Sequence, residues 1–579
     1  MGNIRFLSKY KKECILSPLF KFLEAGIELF VPIVVQLIID VGINGNGGKE
    51  YIFKMGGLLV LLGIVGLCFS ITAQFFAAKA ATLFAKDLRH ELFLKIQKLS
   101  FNDLDEVGNS TLINRMTNDV NLAQNTVNMV LRLVLRSPFV VFGAMIMAFT
   151  VDIKGAIVFV IIIPVLLFVI FYILNYTTPL FKEVQKKSDS ILLSIRENLV
   201  GVRTIRAFGI EKEEADSFNK KNNEMFDLQI KVGKVNSLLN PLTYVIINIG
   251  IVLVIYVGGY RVNTGDLSQG DVFALMNYMS QILVEAIKLA NLVILLIKGK
   301  SGLERIQSVF DIKTGDIYGN EEGRELISFD KAGKNKRENK IIEFENVCMK
   351  YSENADDALN DISFSVNEGD IIGIIGGTGC GKTTIVNMIL GFYKAYKGKV
   401  LLDGRDIKDY NLNSVRKNIG VVPQKALLFK GSIRDNIKWG KDNATDEEII
   451  KALKISQAYE FVEKKEGMLD YYSEQGGKNF SGGQRQRLTI ARGIINNPRI
   501  LILDDSASAL DFATEAKLRK AIKENLKTTT IIISQRISSI KHADKILVLD
   551  EGKLEGVGTH EELLKTSNEY QEIYKAQSN

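Results

Sequence analysis

The sequence contains few of the residues that build disulfide frameworks or histidine-based metal sites. Its 579 residues include four cysteines and three histidines. The cysteines show neither paired nor metal-ligand spacing, so we expect no disulfide framework; they are Cys14, Cys68, Cys348 and Cys380. Three histidines in all argue against a histidine-based metal site. The net charge of +7 is small for this length, and we expect no nucleic acid among the partners.

Apolar and charged residues are both abundant, and they are segregated along the chain. Hydrophobic residues make up 47% of the sequence and charged residues 24%. A chain of this length is too long for one core, so we expect two or more domains. The combination predicts one domain in a membrane and one in water.

Long apolar runs fill the first half of the sequence. A helix needs about 20 apolar residues to cross the hydrocarbon layer. Three segments are long enough and carry no charge: Met55–Ala78, Gly155–Phe181 and Val235–Tyr260. The shorter run Ser137–Val151 precedes the second of these, and only residues 152–154 separate the two. We therefore predict a helical hairpin with a minimal turn at this place.

Two further apolar segments, Leu16–Ile39 and Phe273–Ile297, contain charged residues. The charges are Lys21, Glu24, Glu28, Glu285 and Lys288. Buried core helices are the alternative for these two segments, but the four spans around them favour six spans in all. Intramembrane charges are costly unless they are paired or wet, so we expect the three glutamates and Lys288 to face a central cavity. Glu285 and Lys288 lie one helical turn apart, and both pairing and substrate contact remain open for them.

The distribution of lysine and arginine predicts the orientation in the membrane. Loops 79–136 and 182–234 carry eight and eleven of these residues, whereas loops 40–51, 152–154 and 261–271 carry one each. Because basic loops stay in the cytoplasm, we expect both termini and both long loops to be cytoplasmic. The chain is thus expected to be a multi-pass protein of the cell membrane.

The periodicity stops at residues 311–340, which are rich in Gly, Asn, Lys and Glu, a composition typical of a linker. After this stretch, short β-rich runs alternate with helical stretches, as in an α/β domain. We therefore predict a transmembrane domain over 1–310, a linker over 311–340 and a nucleotide-binding domain over 341–579.

A glycine-rich loop in the second domain predicts phosphate binding. The predicted strand Asp370–Ile375 leads into G-x-x-x-x-G-K-T and then into an apolar helix, the context that this motif requires. Its glycines allow backbone N–H groups to wrap phosphates, Lys382 supplies a positive charge, and the Thr383 hydroxyl suits Mg²⁺. We interpret Cys380 as a packing residue. The residues expected at the nucleotide are Gly376, Gly377, Thr378, Gly379, Cys380, Gly381, Lys382, Thr383 and Thr384.

A second apolar strand ends in Asp504, where P-loop NTPases place the carboxylate that holds Mg²⁺ through water. The segment Phe480–Arg487 (FSGGQRQR) precedes this strand. The order of the P-loop, Gln424, Ser481-Gly482-Gly483-Gln484, Asp504 and Ser508-Ala-Leu-Asp511 resembles the ATP-binding-cassette (ABC) transporters. The resemblance covers essentially the whole chain, in the exporter arrangement of six spans fused to one cassette.

The resemblance implies an all-α six-helix domain of the type I exporter fold, followed by an α/β P-loop NTPase domain that binds ATP and Mg²⁺. Two cassettes are expected to dimerise head to tail, with each ATP between the P-loop of one chain and Ser481–Gln484 of the other. It further implies that Thr383, Gln424 and Asp504 hold the metal, and that Gln424 links the nucleotide to the membrane domain. Tyr351 is expected to stack on adenine; its alternative is a tyrosine on a strand face.

The same resemblance assigns two cytoplasmic segments, Phe101–Val107 and Ala207–Glu213, as coupling helices. Solvent-exposed turns are the alternative for both. We favour coupling because the helices that lead to these segments have no other evident purpose.

Two residues depart from the family at the expected catalytic positions. The glutamate that orients the attacking water in the family is Asp505 here. The Asp side chain is one methylene shorter, which withdraws the carboxylate by roughly 1.5 Å, and a misplacement on this scale can lower the rate about a hundredfold. The switch histidine is Gln535, which can donate a hydrogen bond to a γ-phosphate but cannot carry a positive charge. The Ser481–Gln484 segment is whole, apart from Phe480 where the family commonly has Leu. This asymmetry predicts a heterodimer in which this chain carries the degenerate site; a homodimer with two slow sites is the alternative.

The function expected from the resemblance is ATP-driven export of hydrophobic or amphipathic molecules across the membrane. Drugs, lipids and peptides all remain open as substrates, because the fold does not choose among them. The expected partners are a second half-transporter, the surrounding lipid and this substrate. A non-transporting sensor or channel on the same scaffold is the alternative function.

Overall fold

The computed structural model describes residues 2–312, 329, 339–352, 355–506 and 509–578. Most of the predicted linker 311–340 and Ser508 of the predicted Ser508–Asp511 motif lie outside the described residues. The described residues fall into two compact units. Unit 1 comprises Met1–Gln97 and Asn109–Ile312, and unit 2 comprises Lys98–Gly108 and Lys313–Asn579.

Unit 1 is all helical. After a 3₁₀ stretch, Gly2–Tyr10, its helices are α1 (Lys11–Leu37) and α2 (Gly48–Gln97). The short helix α3 (Phe101–Val107) of unit 2 follows in the chain. The remaining helices of unit 1 are α4 (Asn109–Asn114), α5 (Val120–Leu133), α6 (Arg136–Val151), α7 (Ile153–Phe208), α8 (Glu211–Ser237), α9 (Leu239–Asn263) and α10 (Gln269–Asp311). Short π-helical turns lie at Ile38–Ile43 and Arg115–Asp119.

Six helical stretches of the described chain are long and apolar enough to cross a membrane, as the sequence predicts. They are Arg5–Ile43, Gly48–Gln97, Asn109–Val151, Ile153–Phe208, Glu211–Asn263 and Gln269–Asp311. The 56 residues of α7 correspond to about 84 Å of helix, far more than the roughly 30 Å of a hydrocarbon core. The membrane helices therefore continue well beyond the bilayer.

Small residues bring the membrane helices close together. Ala25, Ala144, Ala156 and Ala274 are fully buried in one apolar cluster formed by α1, α6, α7, α9 and α10. Such residues allow helix backbones to approach closely where lipid supplies no hydrophobic driving force. At Gly250 of α9, a methyl group would lie 3.2 Å from side-chain atoms of both neighbouring helices.

The predicted hairpin turn is confirmed, and it consists of one extended residue. Asp152 interrupts the helix with φ −155° and ψ 126°, and its side chain accepts a hydrogen bond from the backbone N–H of Gly155 at 2.6 Å. Arg261, at the end of α9, forms an ion pair with the same carboxylate. The Asp152 side chain thus caps α7 and ties the hairpin to α9.

The intramembrane charges form ion pairs. Glu285 on α10 is only 2% exposed, so the prediction that it faces a central cavity is wrong. Its carboxylate is held by Arg136, by the Ser137 hydroxyl at 2.8 Å and by Lys288 at 2.8 Å. Of the two alternatives left open for Glu285 and Lys288, the structure shows pairing. Arg136 also donates to Glu28 of α1 at 2.6 Å, so this cluster joins three helices.

Unit 2 contains two mixed or antiparallel sheets and a small ribbon, with helices around them. Its first strands and helices are β1 (Lys340–Met349), β2 (Leu359–Asn367), β3 (Ile371–Gly376), α11 (Lys382–Ile389), β4 (Lys397–Leu402), β5 (Arg405–Asp406), α12 (Leu412–Lys417), β6 (Ile419–Val422), β7 (Gly431–Ser432), α13 (Ile433–Lys438), α14 (Asp446–Ile455) and α15 (Tyr459–Glu463). The later ones are β8 (Tyr472–Ser473), α16 (Gly482–Ile494), β9 (Ile500–Asp504), α17 (Phe512–Asn525), β10 (Thr529–Ile533), α18 (Ile537–Ile540), β11 (Lys545–Asp550), β12 (Lys553–Gly558), α19 (His560–Thr566) and α20 (Asn568–Ser578).

The larger sheet has the order β12-β11-β3-β10-β9-β6. All its neighbours are parallel except the edge pair β11 and β12. A smaller antiparallel sheet has the order β2-β1-β4-β5, and β7 pairs with β8. In a parallel sheet the carboxyl ends of the strands share one edge, so the loops after β3, β6, β9 and β10 meet there.

The segment Lys98–Gly108 packs within unit 2, although more than 200 residues separate it in sequence from the rest of that unit. The helix α3 starts with a capping box between Ser100 and Asp103. The Phe101 ring lies 4.3 Å from the Phe392 ring, and the Tyr393 hydroxyl donates to Asp105 at 2.9 Å. The prediction of a helix at Phe101–Val107 is confirmed.

The other predicted coupling helix is not a separate helix. At 207–213 the chain leaves α7 after Phe208 and enters α8 at Glu211, with Gly209 in the left-handed conformation at φ 65°. In this single chain the segment is an exposed turn, and Phe208 is 77% exposed. The role of the segment in coupling stays a prediction. A glycine in the left-handed region ends a helix, which explains the difference.

Candidate nucleotide site

The P-loop follows β3, and its backbone has positive φ angles at three glycines. Gly376, Gly379 and Gly381 have φ values of 152°, 86° and 99°, in the region that side chains rarely adopt. A methyl group at Gly376 would lie 2.0 Å from the carbonyl oxygen of Leu549, and one at Gly381 would lie 2.7 Å from the Leu359 side chain. The strand end and the helix start can therefore approach their neighbours only as glycines.

Open space lies over the middle of the same loop. At Gly377 and Gly379 no heavy atom lies within 4 Å of where a methyl group would be. Lys382, the first residue of α11, folds back and donates to the carbonyls of Gly376 (3.0 Å) and Gly377. A buried ammonium at a helix N-terminus, beside an open glycine loop, fits a phosphate group. The Cys380 side chain is 4% exposed, which agrees with its interpretation as a packing residue.

Two oxygen ligands suited to Mg²⁺ lie at the adjacent strand end. The Thr383 hydroxyl is 3.4 Å from Oδ2 of Asp504, the last residue of β9. Burial raises the pKa of Asp504, and the neighbouring Asp505 carboxylate raises it further, while Thr383 and Lys382 oppose the rise. A buried carboxylate in this position gains from a bound cation. The donor set therefore fits a hard cation such as Mg²⁺.

Asp505 and Gln424 are brought together at this edge. The amide nitrogen of Gln424, which follows β6, donates to Oδ2 of Asp505 at 3.2 Å. Asp505 has a left-handed backbone with φ 45°, and its N–H donates to the carbonyl of Ile533 at 2.9 Å. Asp is one of the few residues with a side chain that is enriched in this conformation.

Gln535 follows β10, so it lies at the same edge of the sheet as the P-loop, and its side chain is exposed. The backbone around it is held locally, because the Ser534 hydroxyl accepts a hydrogen bond from the N–H of Arg536 at 3.0 Å. The strands thus place Gln535, Asp504, Gln424 and the P-loop together, as the sequence predicts.

Tyr351 lies beside the start of α11. Its hydroxyl is 2.8 Å from the hydroxyl of Thr384, and the residue is 43% exposed. The edge of the ring meets Tyr393, with 5.0 Å between the ring centres and an interplanar angle of 84°. An exposed aromatic ring next to a phosphate loop is suited to stack on a base. Nothing in the sequence pointed to Tyr393, which supports this ring and also binds Asp105.

The segment Ser481–Gln484 is the start of a helix. Ser481 caps α16, and Gln484 completes a capping box by accepting from the Ser481 N–H at 3.1 Å. Ser481 and Gly482 are exposed, and a methyl group at Gly482 would meet no heavy atom within 4 Å. An exposed, capped helix N-terminus with open glycine is suited to an anion supplied from outside the chain.

Comparisons with known proteins agree with this architecture. Residues 14–287 match the family model described as ABC transporter transmembrane region, and residues 359–508 match the model described as ABC transporter. The chain is 33% identical to the Bacillus subtilis protein named uncharacterized ABC transporter ATP-binding protein YfiB, over 99% of this chain and 98% of that protein. It is 30% identical to the putative multidrug export ATP-binding/permease protein YgaD of the same organism, over 99% and 98% of the two chains.

A solved structure, described as a bacterial Atm1-family ABC exporter with ATP bound, has the same fold. It superposes with a TM-score of 0.82 over 98% of both chains, at 23% sequence identity. The predicted fold class, six membrane helices followed by a P-loop nucleotide-binding domain, is confirmed. With a family relative aligned along nearly its whole length, the chain belongs to the ABC transporter family.

Proposed function

We propose that this chain is one subunit of an ATP-driven exporter of hydrophobic or amphipathic molecules, and that it carries the degenerate ATP site of a heterodimer. The observation that carries the ATP-driven part is the open glycine loop with buried Lys382 beside Asp504, in a chain with six membrane-spanning stretches. The similarity to a protein named as a putative multidrug exporter supports the class of substrate.

In this proposal, residues at the carboxyl ends of the parallel strands each bind a part of MgATP. Lys382, which donates to the carbonyl of Gly376 in this structure, would turn to the β- and γ-phosphates, and the loop N–H groups would donate to phosphate oxygens. The Thr383 hydroxyl, the Gln424 amide oxygen and Asp504 would hold Mg²⁺, which would supply positive charge beside the phosphates. Tyr351 stacks on the base.

Hydrolysis at this site is proposed to be slow because the groups that act on water are weak. The Asp505 carboxylate is one methylene shorter than that of a glutamate and is bonded to Gln424 at 3.2 Å. Gln535 can donate a hydrogen bond to the γ-phosphate without adding positive charge. The site would therefore bind ATP and turn it over slowly, whereas Ser481–Gln484 would complete a competent site with the partner's P-loop.

The chain is proposed to lie in the cell membrane with both termini and the nucleotide-binding domain in the cytoplasm. The lysine and arginine excess in loops 79–136 and 182–234 supports this orientation. We propose domain limits of 1–310 and 341–579, with the linker between them. Helix α3, which packs against Phe392 and Tyr393 in unit 2, is proposed to couple the two domains.

The heterodimer is tested by comparing two substitutions in this chain, expressed with a candidate second half-transporter that has Glu and His at the positions of Asp505 and Gln535. Gly482→Asp places a carboxylate where the partner's γ-phosphate would lie, so most ATP hydrolysis should be lost. Lys382→Ala weakens ATP binding at the slow site, so substantial hydrolysis should survive. Steady-state ATPase activity of the purified pair is the measurement.

Gly482→Ala is the matched control, because a methyl group there meets no heavy atom within 4 Å. It should fold normally and should reduce the rate less than Gly482→Asp. In a homodimer, each of the substitutions Gly482→Asp and Lys382→Ala would impair both ATP sites. Equal loss of activity from these two substitutions would therefore end the asymmetric proposal, and a large loss at Gly482 alone would support it.

A further inference from the structure

The C-terminal helix α20 reaches the segment that carries Gln535. The side-chain amide of Gln577 makes two hydrogen bonds to backbone groups on either side of Arg536. Its oxygen accepts from the N–H of Ile537 at 2.9 Å, and its nitrogen donates to the carbonyl of Gln535 at 2.6 Å. One amide thus spans the turn between β10 and α18.

These two hydrogen bonds satisfy the backbone N–H of Ile537 and the backbone carbonyl of Gln535. Ile537 is the first residue of α18, and its cap residue Arg536 makes no side-chain capping hydrogen bond. The first N–H groups of a helix have no partner inside the helix, so Gln577 acts as a cap supplied from 40 residues away. The orientation of the amide is fixed, because a flipped amide would face an N–H with its nitrogen and a carbonyl with its oxygen.

The helix that presents Gln577 is itself anchored. Tyr570 of α20 is completely buried, its hydroxyl lies 2.7 Å from Nδ1 of His560, and its N–H donates to the Ser567 hydroxyl at 3.2 Å. The Gln577 side chain is exposed at the other end of the helix. Its replacement should therefore leave the core intact and change only the turn.

We propose that Gln577 is a positioning residue that holds the Gln535 backbone so that the Gln535 side chain can reach the γ-phosphate of ATP. This inference rests on the proposed function of Gln535. The γ-phosphate is present in ATP and absent from ADP. Loss of the Gln577 amide should therefore weaken the binding of ATP, while ADP binding stays the same.

Two measurements on the full-length protein test the proposal, in a wild-type and a Gln577→Ala form. Hydrogen exchange should show the amide of Ile537 exchanging about five- to tenfold faster without its partner. Photolabelling of this chain with 8-azido-ATP should need about three- to tenfold more nucleotide for half-saturation. With 8-azido-ADP the half-saturating concentration should not change.

Gln571→Ala is the matched control, because Gln571 lies on the same helix but its side chain donates to the carbonyl of Leu564 at 2.9 Å and not to the turn. It should leave exchange at Ile537 and both labelling curves unchanged. Gln577→Glu keeps an acceptor for the Ile537 N–H but loses the donor to Gln535. It should therefore keep the protection of Ile537 and still weaken ATP labelling.

The outcomes distinguish the role of Gln577 at the turn from the existence of the ATP site. If hydrogen exchange at Ile537 is unchanged in Gln577→Ala, Gln577 does not hold the turn and the proposal is overturned. If the half-saturating concentrations of the ATP and ADP analogues rise equally, Gln577 acts on general stability and not on the contact with the γ-phosphate. If the wild-type chain takes no label at all, the ATP site itself is wrong, and the role of Gln577 there is overturned with it. A shift confined to ATP, absent in Gln571→Ala, supports the proposal.

Discussion

The ion cluster inside the membrane domain offers a direct test of the packing of unit 1. Arg136 and Glu285 are 6% and 2% exposed, and they join α6 to α10. Arg136→Met keeps a similar volume but removes the guanidinium from Glu285 and from Glu28. We expect the substitution to destabilise the membrane domain, because it leaves a buried carboxylate with fewer partners.

The magnitude follows from what remains around the carboxylate. Breaking a fully buried ion pair by removing one partner costs about 3–5 kcal/mol. Glu285 keeps the Ser137 hydroxyl and Lys288, both at 2.8 Å, and the Lys288 side chain is 40% exposed to solvent. We therefore reduce the expected cost of Arg136→Met to about 2–3 kcal/mol. For a domain of this size such a loss corresponds to a fall in Tm of about 3–5 °C.

A double-mutant cycle with Glu285→Gln separates the pair from the loss of packing. Removing both charges should recover about 1.5 kcal/mol or more of the single-mutant cost. Thermal unfolding of the detergent-solubilised protein is the assay. Lys187→Met is the control, because Lys187 pairs with Glu224 at the surface, with side chains 41% and 45% exposed. It should cost less than about 1 kcal/mol. Additive effects of the two buried substitutions would refute the reasoning.

Three further predictions concern unit 2. Asp505→Glu combined with Gln535→His should raise steady-state ATP turnover, because the water regains a carboxylate at full reach; unchanged turnover would place the defect elsewhere. Asp504→Asn should raise the Tm of the nucleotide-free protein at neutral pH. The raised pKa means that protonation of Asp504 stabilises the fold at acid pH, and this contribution is lost as pH rises through that pKa; a gain that is equal at acid pH would contradict this. Tyr393→Phe removes a bond to Asp105 and should cost about 1 kcal/mol, measured as faster proteolysis at residues 98–108.

Features set by neighbouring residues could be predicted from the sequence. The P-loop was predictable because its glycines, its lysine and the flanking strand and helix are contiguous. A minimal hairpin turn was predictable because only residues 152–154 separate two apolar runs. The turn narrows to one residue because Asp152 caps the helix that begins at Ile153. Glu285 and Lys288 lie one turn apart on one helix, so their spacing permits the observed pairing, although it left substrate contact open as well.

Contacts between distant residues could not be predicted in the same way. The sequence places Arg136 in a basic loop, and only the packing of α6 against α10 brings it to Glu285, 149 residues away. The bond between Tyr393 and Asp105 spans 288 residues. The misjudged cavity position of Glu285 has the same origin, because composition shows that a charge lies in an apolar segment but not which partner it meets.

The conformation of Asp505 connects the proposed slow site to the backbone. The residue is left-handed at φ 45° and its carboxylate is tied to Gln424, whereas Asp504, one position earlier, ends the strand with a buried carboxylate. In the proposed site, the buried Asp504 and Thr383 would bind the cation, and the activation of water would depend on the reach of Asp505. Because different side chains carry these two tasks, a change at Asp505 can slow hydrolysis without removing nucleotide binding. That separation is what a heterodimer with one binding site and one hydrolytic site requires.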